Sequence, residues 1–202
     1  MNKSIILLII AIVFIAIVGY FIFSGESVEV YVDGENVSTH SVVSPLKGVD
    51  TNELNVEICE YTLETMDTSE GDYNTLKNGI REICAAHGLN NVNVKIDSTL
   101  GENKIPILFH VEGTSMDPTL RDGQVVLIEK TKDIHVNNIV VADSDEYGRI
   151  IKRVAEIDDG YVHLVSDNKS VTHEIINGTP YETKGINTWV DIRDIYGVAV
   201  EY

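Results

Sequence analysis

The stretch of sequence that decides the fold and the chemistry is HVEGTSMDPTL, residues 110–120, in which a strand-like segment is followed by Gly113, Ser115 and Pro118. A strand that ends in such a turn can present the Ser115 hydroxyl, with the Ser115 backbone N–H available to an oxyanion. A serine hydroxyl is a weak nucleophile until a neighbouring base removes its proton. A lone serine before a proline more often caps the turn, so the presence of a base decides between these interpretations.

A second segment, GRIIKRVAEI at residues 148–157, supplies a candidate base. Side chains alternate along a strand, so Ile150, Lys152 and Val154 share one face while Arg153 lies on the other. Loss of hydration on an apolar face disfavours the ammonium and lowers the pKa of a lysine, which a lysine general base requires. The alternative is an edge-strand lysine whose long side chain reaches water.

The sequence between residues 105 and 202 predicts a mainly β domain. Short apolar segments are separated by turn residues such as Asp122-Gly123 and Asn177-Gly178, which is typical of antiparallel strands. We expect a folded sheet or a partly closed barrel that carries the chemistry. The expected strands are Ile107–Glu112, Gln124–Lys130, Asn138–Asp143, Arg149–Ile157, Tyr161–Ser166 and Tyr196–Tyr202.

Residues 26–104 predict a smaller, acidic α+β unit with no assigned chemistry. Asp72 is a suitable N-cap for an amphipathic helix over Tyr73–His87. Residues 33–53 are rich in Gly, Ser, Thr, Asn and Asp and predict mostly loop. The expected strands are Val28–Val32, Leu54–Leu63 and Val92–Ile96.

The N-terminal segment Ile5–Phe23 predicts a membrane anchor within residues 1–25. Its 19 residues carry no charge, and a helix of that length spans about 28 Å, close to the hydrocarbon thickness of a bilayer. Lys3 precedes the span, and Glu26 and Glu29 follow it, which favours a cytoplasmic N-terminus and an extracytoplasmic remainder. A cleavable signal peptide is the competing interpretation, but its apolar core is usually shorter.

Charge and cysteine content argue against several function classes. The 15 Lys and Arg residues face 32 Asp and Glu residues, a formal net charge of −17, and such a surface repels nucleic-acid phosphates. The two cysteines, Cys59 and Cys84, are too few for a disulfide-rich scaffold and have no zinc-site spacing. They can meet across the core of the α+β unit as a disulfide or as two free thiols.

The two segments together resemble type I signal peptidase, and their order and spacing also resemble the LexA-like self-cleaving repressors. The resemblance rests on Gly113-x-Ser115-Met116-x-Pro118-Thr119-Leu120 and, later, on Ile151-Lys152-Arg153-Val154. Ser166-Asp167-Asn168 and Tyr196-Gly197-Val198 are similar to the two last motifs of the family. The resemblance covers about residues 107–200, together with the N-terminal anchor, and implies a signal-peptidase/LexA-like β fold.

The resemblance implies a role for each matching residue. Ser115 would be the nucleophile and, through its backbone N–H, an oxyanion donor, and Lys152 would be the general base. Many bacterial relatives have a serine at the position of Gly113, so the resemblance assigns no second oxyanion donor. Asp167 would either orient the lysine or brace the fold. The residues expected to support the site are Asp167, Asn168 and Arg153, and those expected to bind substrate are His110, Val111, Glu112, Gly113 and Met116.

The implied function is a membrane-anchored serine endopeptidase that cleaves signal peptides from exported preproteins after small residues, on the outer face of the cell membrane. Its partners would be those preproteins and the bilayer around residues 5–23, with no nucleic acid, metal or organic cofactor. Two alternatives stay open: a processing peptidase of narrow specificity, and a non-catalytic binding or assembly module that keeps the fold. Intact Ser115 and Lys152 favour an enzyme over the module.

Overall fold

The computed structural model describes residues 25–170, 172–176, 179–183 and 185–202, together with Ile9 and Ile12. The predicted membrane anchor otherwise lies outside these residues. Within the described part of the chain, no helix is both long enough and apolar enough to cross a bilayer. The domain boundaries expected near residues 25 and 104 stay a prediction.

The N-terminal unit is a three-stranded sheet with two helices packed against it. Its elements are β1 (Glu26–Val32), β2 (Val37–Val42), a short 3-10 turn (Pro45–Lys47), α1 (Thr51–Asp67), α2 (Tyr73–Ala86) and β3 (Val92–Ser98). The strand order is β2-β1-β3, with β1 antiparallel to β2 and parallel to β3. Aliphatic residues from the strands and both helices form one core, in which Val30, Ile58 and Ile80 are almost completely buried.

Helix α1 occupies the segment for which the sequence predicts a strand, Leu54–Leu63, and that prediction is wrong. The buried residues Leu54, Ile58 and Thr62 are four positions apart, which is the spacing of one helix face. The Asp50 side chain caps this helix by accepting hydrogen bonds from backbone N–H groups of its first turn. A threonine on the buried face conceals the helical period, because it interrupts the run of apolar residues.

The predicted loop over residues 33–53 contains strand β2 and the 3-10 turn, so the prediction is wrong for those residues. In β2 the buried position is taken by Ser41, and the sequence therefore shows no apolar alternation there. The predictions of α2 and β3 are confirmed. The Asp72 side chain caps α2 and accepts a hydrogen bond from the Thr75 N–H at 2.8 Å.

The C-terminal part confirms the mainly β prediction. Its central sheet has the order β11-β8-β7-β6-β12-β5-β4, with every neighbouring pair antiparallel, and β9 and β10 form a separate hairpin. The three strands β9, β10 and β11 have no counterpart in the predictions. In chain order the strands of this part are β4 (Pro106–His110), β5 (Val125–Glu129), β6 (Ile139–Ser144), β7 (Gly148–Asp158), β8 (Tyr161–Val165), β9 (Thr172–Ile176), β10 (Thr179–Thr183), β11 (Asn187–Asp191) and β12 (Ile195–Glu201).

The seven-stranded sheet curls so that its middle strands are buried on both faces. In β6, Ile139 and Val141 belong to one apolar cluster, while Val140 and Ala142 belong to another. Side chains alternate between the faces of a strand, so the two clusters lie on opposite sides of the same sheet. Strand β7 is antiparallel to β6 and is held between these two cores.

The end of α1 and the linker that follows it contact the curled sheet. The Tyr196 hydroxyl donates a hydrogen bond to the Asp67 carbonyl at 3.2 Å, and the Arg149 guanidinium lies 3.3 Å from the Asp67 carboxylate. The Lys130 Nζ donates to the Thr68 carbonyl. Burial raises the pKa of Tyr196 to about 12, so its hydroxyl stays a donor at all physiological pH values.

Both cysteines are free thiols, which corresponds to the second of the two alternatives predicted for them. Cys59 Sγ lies 3.1 Å from Thr39 Oγ1, while Cys84 is fully buried in the core of the N-terminal unit. Burial raises the pKa of the Cys84 thiol, which keeps it protonated and unreactive.

Candidate active site

Ser115 lies in the loop that follows β4, and the backbone of this loop is held at several points. The Gly113 N–H donates to the Asp122 carboxylate at 2.7 Å. Asn168 binds the loop twice: its backbone N–H donates to the Ser115 carbonyl at 3.0 Å and its side-chain amide donates to the Thr114 carbonyl at 2.9 Å. These bonds fix the position of Ser115 relative to the sheet.

Lys152 reaches Ser115 from the middle of β7. Its Nζ donates hydrogen bonds to the Ser115 Oγ at 2.8 Å and to the Ile151 carbonyl at 2.8 Å. The lysine is 3% exposed, and its neighbours on the same face of the strand, Ile150 and Val154, are also buried. The expected apolar surroundings of Lys152 are therefore present.

Burial lowers the pKa of Lys152 to about 8, and among the described residues no charged neighbour contributes to the shift. At pH 7 a lysine with this pKa is neutral about one tenth of the time, compared with about three parts in ten thousand at the ordinary pKa. A neutral amine in hydrogen-bond contact with a hydroxyl can accept its proton. The arrangement can therefore generate a serine nucleophile near neutral pH.

The serine and the lysine open into a cleft of about 500 Å³. One wall is the edge of β4, which is the last strand of its sheet. The opposite wall is the first half of β7, which in the described part of the chain pairs with β8 only from Arg153 onward. The residues that line the cleft are Leu108, Phe109, His110, Glu112, Ser115, Arg149, Ile150, Ile151, Lys152 and Ile186.

A comparison with protein-family models shows that residues 78–187 match the model described as Peptidase S24-like. This chain belongs to the Peptidase S24-like family. The matched region covers more than half of the chain and contains both Ser115 and Lys152. It is the family of LexA and the signal peptidases, and membership points to a serine peptidase. A search of curated proteins found no match.

Two of the five residues expected to bind substrate line the cleft of this S24-like protein, namely His110 and Glu112. Val111 and Met116 are 2% and 1% exposed and belong to the core beneath the loop, so they are not available to a substrate. Both side chains belong to the apolar cluster that also contains Val126 and Ile128 of β5. Gly113 is exposed and has a φ of 81°, a conformation that favours glycine.

The supporting residues divide into two groups. Asn168 acts on the serine loop through the bonds described above. Asp167 accepts two hydrogen bonds from the Arg153 guanidinium, at 2.7 and 2.6 Å, and one from the Thr119 hydroxyl at 2.6 Å. The ion pair with Arg153 lowers the pKa of Asp167, and the Thr119 hydroxyl adds to the shift. These partners favour the bracing role for Asp167 over direct orientation of Lys152.

The Ser115 backbone N–H donates to no acceptor among the described residues, so it can serve an incoming oxyanion. Two contributors to the site were not predicted from the sequence. The sequence places Asp122 in a turn, and the structure shows that its carboxylate also holds the serine loop. Arg149 lines the cleft, and its guanidinium lies 4.1 Å from the centre of the Tyr196 ring. Neither an aspartate in a turn nor an arginine at the start of a strand gives a sequence signal for these contacts.

Proposed function

We propose that the protein is a membrane-anchored serine endopeptidase of the signal peptidase I type, which cleaves signal peptides from exported preproteins after small residues. One observation carries the proposal: the buried Lys152 Nζ lies 2.8 Å from the Ser115 Oγ at an open cleft. A serine and a buried lysine in contact form a nucleophile and its base. A surface lysine or a turn-capping serine would have no reason to meet in this way.

The reaction uses both residues twice. Neutral Lys152 accepts the Ser115 proton as the Oγ attacks the scissile carbonyl, and the Ser115 N–H stabilises the resulting oxyanion. The lysine ammonium then donates its proton to the departing amine, which leaves an acyl-enzyme and neutral Lys152. The lysine next takes a proton from water, whose oxygen attacks the ester. When the tetrahedral intermediate collapses, that proton returns to Ser115 and the peptide acid is released.

The cleft suits an extended peptide. The edge of β4 can pair with an added strand, and the start of β7, which has no partner on that side among the described residues, offers a second edge opposite to it. The side chains of Ile150, Ile151 and Ile186 line the space between the two edges. This apolar part of the cleft favours uncharged side chains next to the bond that is cut, such as the alanines that precede the cleavage site of a signal peptide.

The predicted anchor implies where in the cell the active site lies. With residues 5–23 in the bilayer and Lys3 on the cytoplasmic side, the catalytic domain lies outside, where signal peptides of exported preproteins emerge. The acidic N-terminal unit then separates the cleft from the anchor along the chain. No metal or organic cofactor takes part in the proposed reaction.

The test is cleavage of a preprotein with an Ala-x-Ala site by the full-length chain in detergent. We expect cleavage after the second alanine, and its loss in Ser115→Ala and Lys152→Met. Lys130→Met is the matched control, because Lys130 is also buried and also has a pKa lowered to about 8, yet it contacts a backbone carbonyl instead of a serine. The control variant should retain activity.

Three results would change the proposal. Cleavage by Lys152→Met at neutral pH would show that Lys152 is not the base. Cleavage of one exported protein among many would favour the narrow-specificity peptidase. Absence of cleavage of every preprotein by a folded wild-type chain would favour the binding module.

A further inference from the structure

The turn between β1 and β2, Asp33–Asn36, contacts the edge strand of the active-site cleft. The Leu108 N–H of β4 donates a hydrogen bond to the Gly34 carbonyl at 3.3 Å. Gly34 lies outside the region matched by the family model, which begins at residue 78. A part of the chain beyond the family match therefore lies against the strand that we expect to bind substrate.

The alternation of backbone groups along β4 shows which of its groups are free. Val111 exchanges hydrogen bonds with Gln124 and Gly123 on the β5 side, so odd-numbered residues of this segment direct their N–H and C=O groups to β5. The even-numbered residues, Leu108, His110 and Glu112, direct theirs to the open edge. Of these, Leu108 already has its N–H bonded to Gly34.

The turn is shaped to fit this position. The Asp33 carboxylate accepts hydrogen bonds from the backbone N–H groups of Glu35 and Asn36, at 3.0 and 2.7 Å, which holds the turn closed. Gly34 has a φ of 110°, which L side chains rarely adopt, and an added Cβ would lie 3.1 Å from Leu108 Cγ. A side chain at position 34 would be strained by this φ and crowded against Leu108, so we expect it to weaken the contact between the turn and β4.

We infer that the turn Asp33–Asn36 closes the substrate-binding edge at Leu108 and is a specificity-determining element of the peptidase. The inference rests on the proposed function. A peptide that adds to β4 can pair with His110 and Glu112. These two residues bind the peptide residues nearest the bond that is cut. Backbone groups that face the open edge recur at every second residue of β4. The turn at Leu108 therefore occupies the position that roughly the fifth peptide residue before the cut would take. Recognition is thereby limited to a short segment, and the chain upstream must leave the edge.

The first test compares two peptides with the same small-x-small site, one starting three and the other seven residues before the cut. For the wild-type chain we expect kcat/KM values within about twofold of each other, since the upstream residues find no free edge. Gly34→Ala should raise the ratio of long to short peptide about two- to tenfold, the effect of one added backbone hydrogen bond. Gly48→Ala is the matched control, because Gly48 also has a positive φ, 65°, but no atom within 4 Å of an added Cβ.

The second test needs no activity. In amide exchange on the full-length chain in detergent, the Leu108 amide should be protected in wild type and in Gly48→Ala, and should exchange at least about tenfold faster in Gly34→Ala. Fast exchange of this amide in the wild-type chain would overturn the inference. A second result would also overturn it. This result is a wild-type preference above tenfold for the long peptide, together with loss of that preference when the peptide is N-methylated around the fifth residue before the cut. Absence of cleavage with a protected Leu108 amide would count against the proposed peptidase and not against the closed edge.

Discussion

Replacement of Lys152 by methionine should abolish catalysis and at the same time stabilise the fold. Methionine has a similar length and no charge, so it can fill the same space between Ile150 and Val154 without the cost of burying an ammonium. The lysine is 3% exposed and its pKa is lowered by burial to about 8, from an ordinary value of 10.5. The two effects of the substitution have a single cause, because the burial that lowers the pKa also destabilises the charged form.

The magnitude follows from the shift in pKa. The unfolded chain binds a proton at Lys152 more tightly than the folded chain does, so wild-type stability rises with pH between about 8 and 10.5. Below pH 8 the cost of burying the charge is nearly complete, about 3 kcal/mol. Lys152→Met also loses the hydrogen bonds to Ser115 and to the Ile151 carbonyl, about 1 kcal/mol each at most. We expect a net gain of about 1–2 kcal/mol at pH 7 that disappears by pH 10.5.

The assay is urea unfolding of both full-length chains in detergent at pH 7 and at pH 10.5, alongside peptide cleavage. The same pKa predicts that log kcat/KM of wild type rises by about one per pH unit to a plateau above pH 8. Lys130→Met should keep this profile, since Lys130 does not touch the serine. If Lys152→Met is less stable than wild type at pH 7, or if its stability difference does not depend on pH, the assignment of a buried lysine with a lowered pKa is refuted.

Three further predictions concern residues around the pair. Asn168→Ala removes the side-chain bond to the Thr114 carbonyl, so we expect kcat to fall about tenfold with a smaller change in KM, measured by steady-state kinetics; an equal change in KM alone would speak against a positioning role. Asp167→Asn weakens the ion pair with Arg153 and should lower the free energy of unfolding by about 1–3 kcal/mol, measured by urea titration. The loss of unfolding free energy should have its full size above the ordinary pKa of 3.8 and should disappear as the pH falls through the lowered pKa of folded Asp167. A loss that persists at such low pH would contradict this prediction. Arg149→Ala removes the contacts to Asp67 at the end of α1, and amide exchange around Asp67 and Thr68 should become about tenfold faster; unchanged exchange would show that other contacts hold this segment.

The elements that sequence patterns predicted are those in which burial and apolar character coincide. The strands around Val126 and Val140 were predicted, because aliphatic residues occupy their buried positions. Helix α1 and strand β2 were missed, because Thr62 and Ser41 are buried there in place of aliphatic residues. A buried hydroxyl can bond to the backbone of its own helix, as the Thr62 Oγ1 does to the Ile58 carbonyl, and no sequence period shows that compensation.

The candidate site divides in a similar way. The apolar face of Lys152 is predicted from the alternation of side chains. Its contact with Ser115 is expected only from the resemblance, because Lys152 lies 37 positions after Ser115 and no local pattern connects the two. Asn168 is among the residues expected to support the site, but its bonds to the Ser115 and Thr114 carbonyls are not predicted, and neither is the bond from Leu108 to Gly34. Each of these bonds ends on a backbone carbonyl, a group that every residue carries, so its partner depends on the path of the chain and leaves no trace in residue type.

The comparison of two lysines shows which observation decides the function. Lys130 and Lys152 are both almost completely buried, and burial lowers both pKa values to about 8. For Lys130 the charges of Lys132 and Arg149 add to the shift, and its Nζ is bound to a backbone carbonyl and lies 5.4 Å from the centre of a tyrosine ring. A pKa lowered to about 8 therefore identifies two equal candidates. The contact with a hydroxyl that faces an open cleft separates them, and it selects Lys152 because a base must touch the proton that it removes.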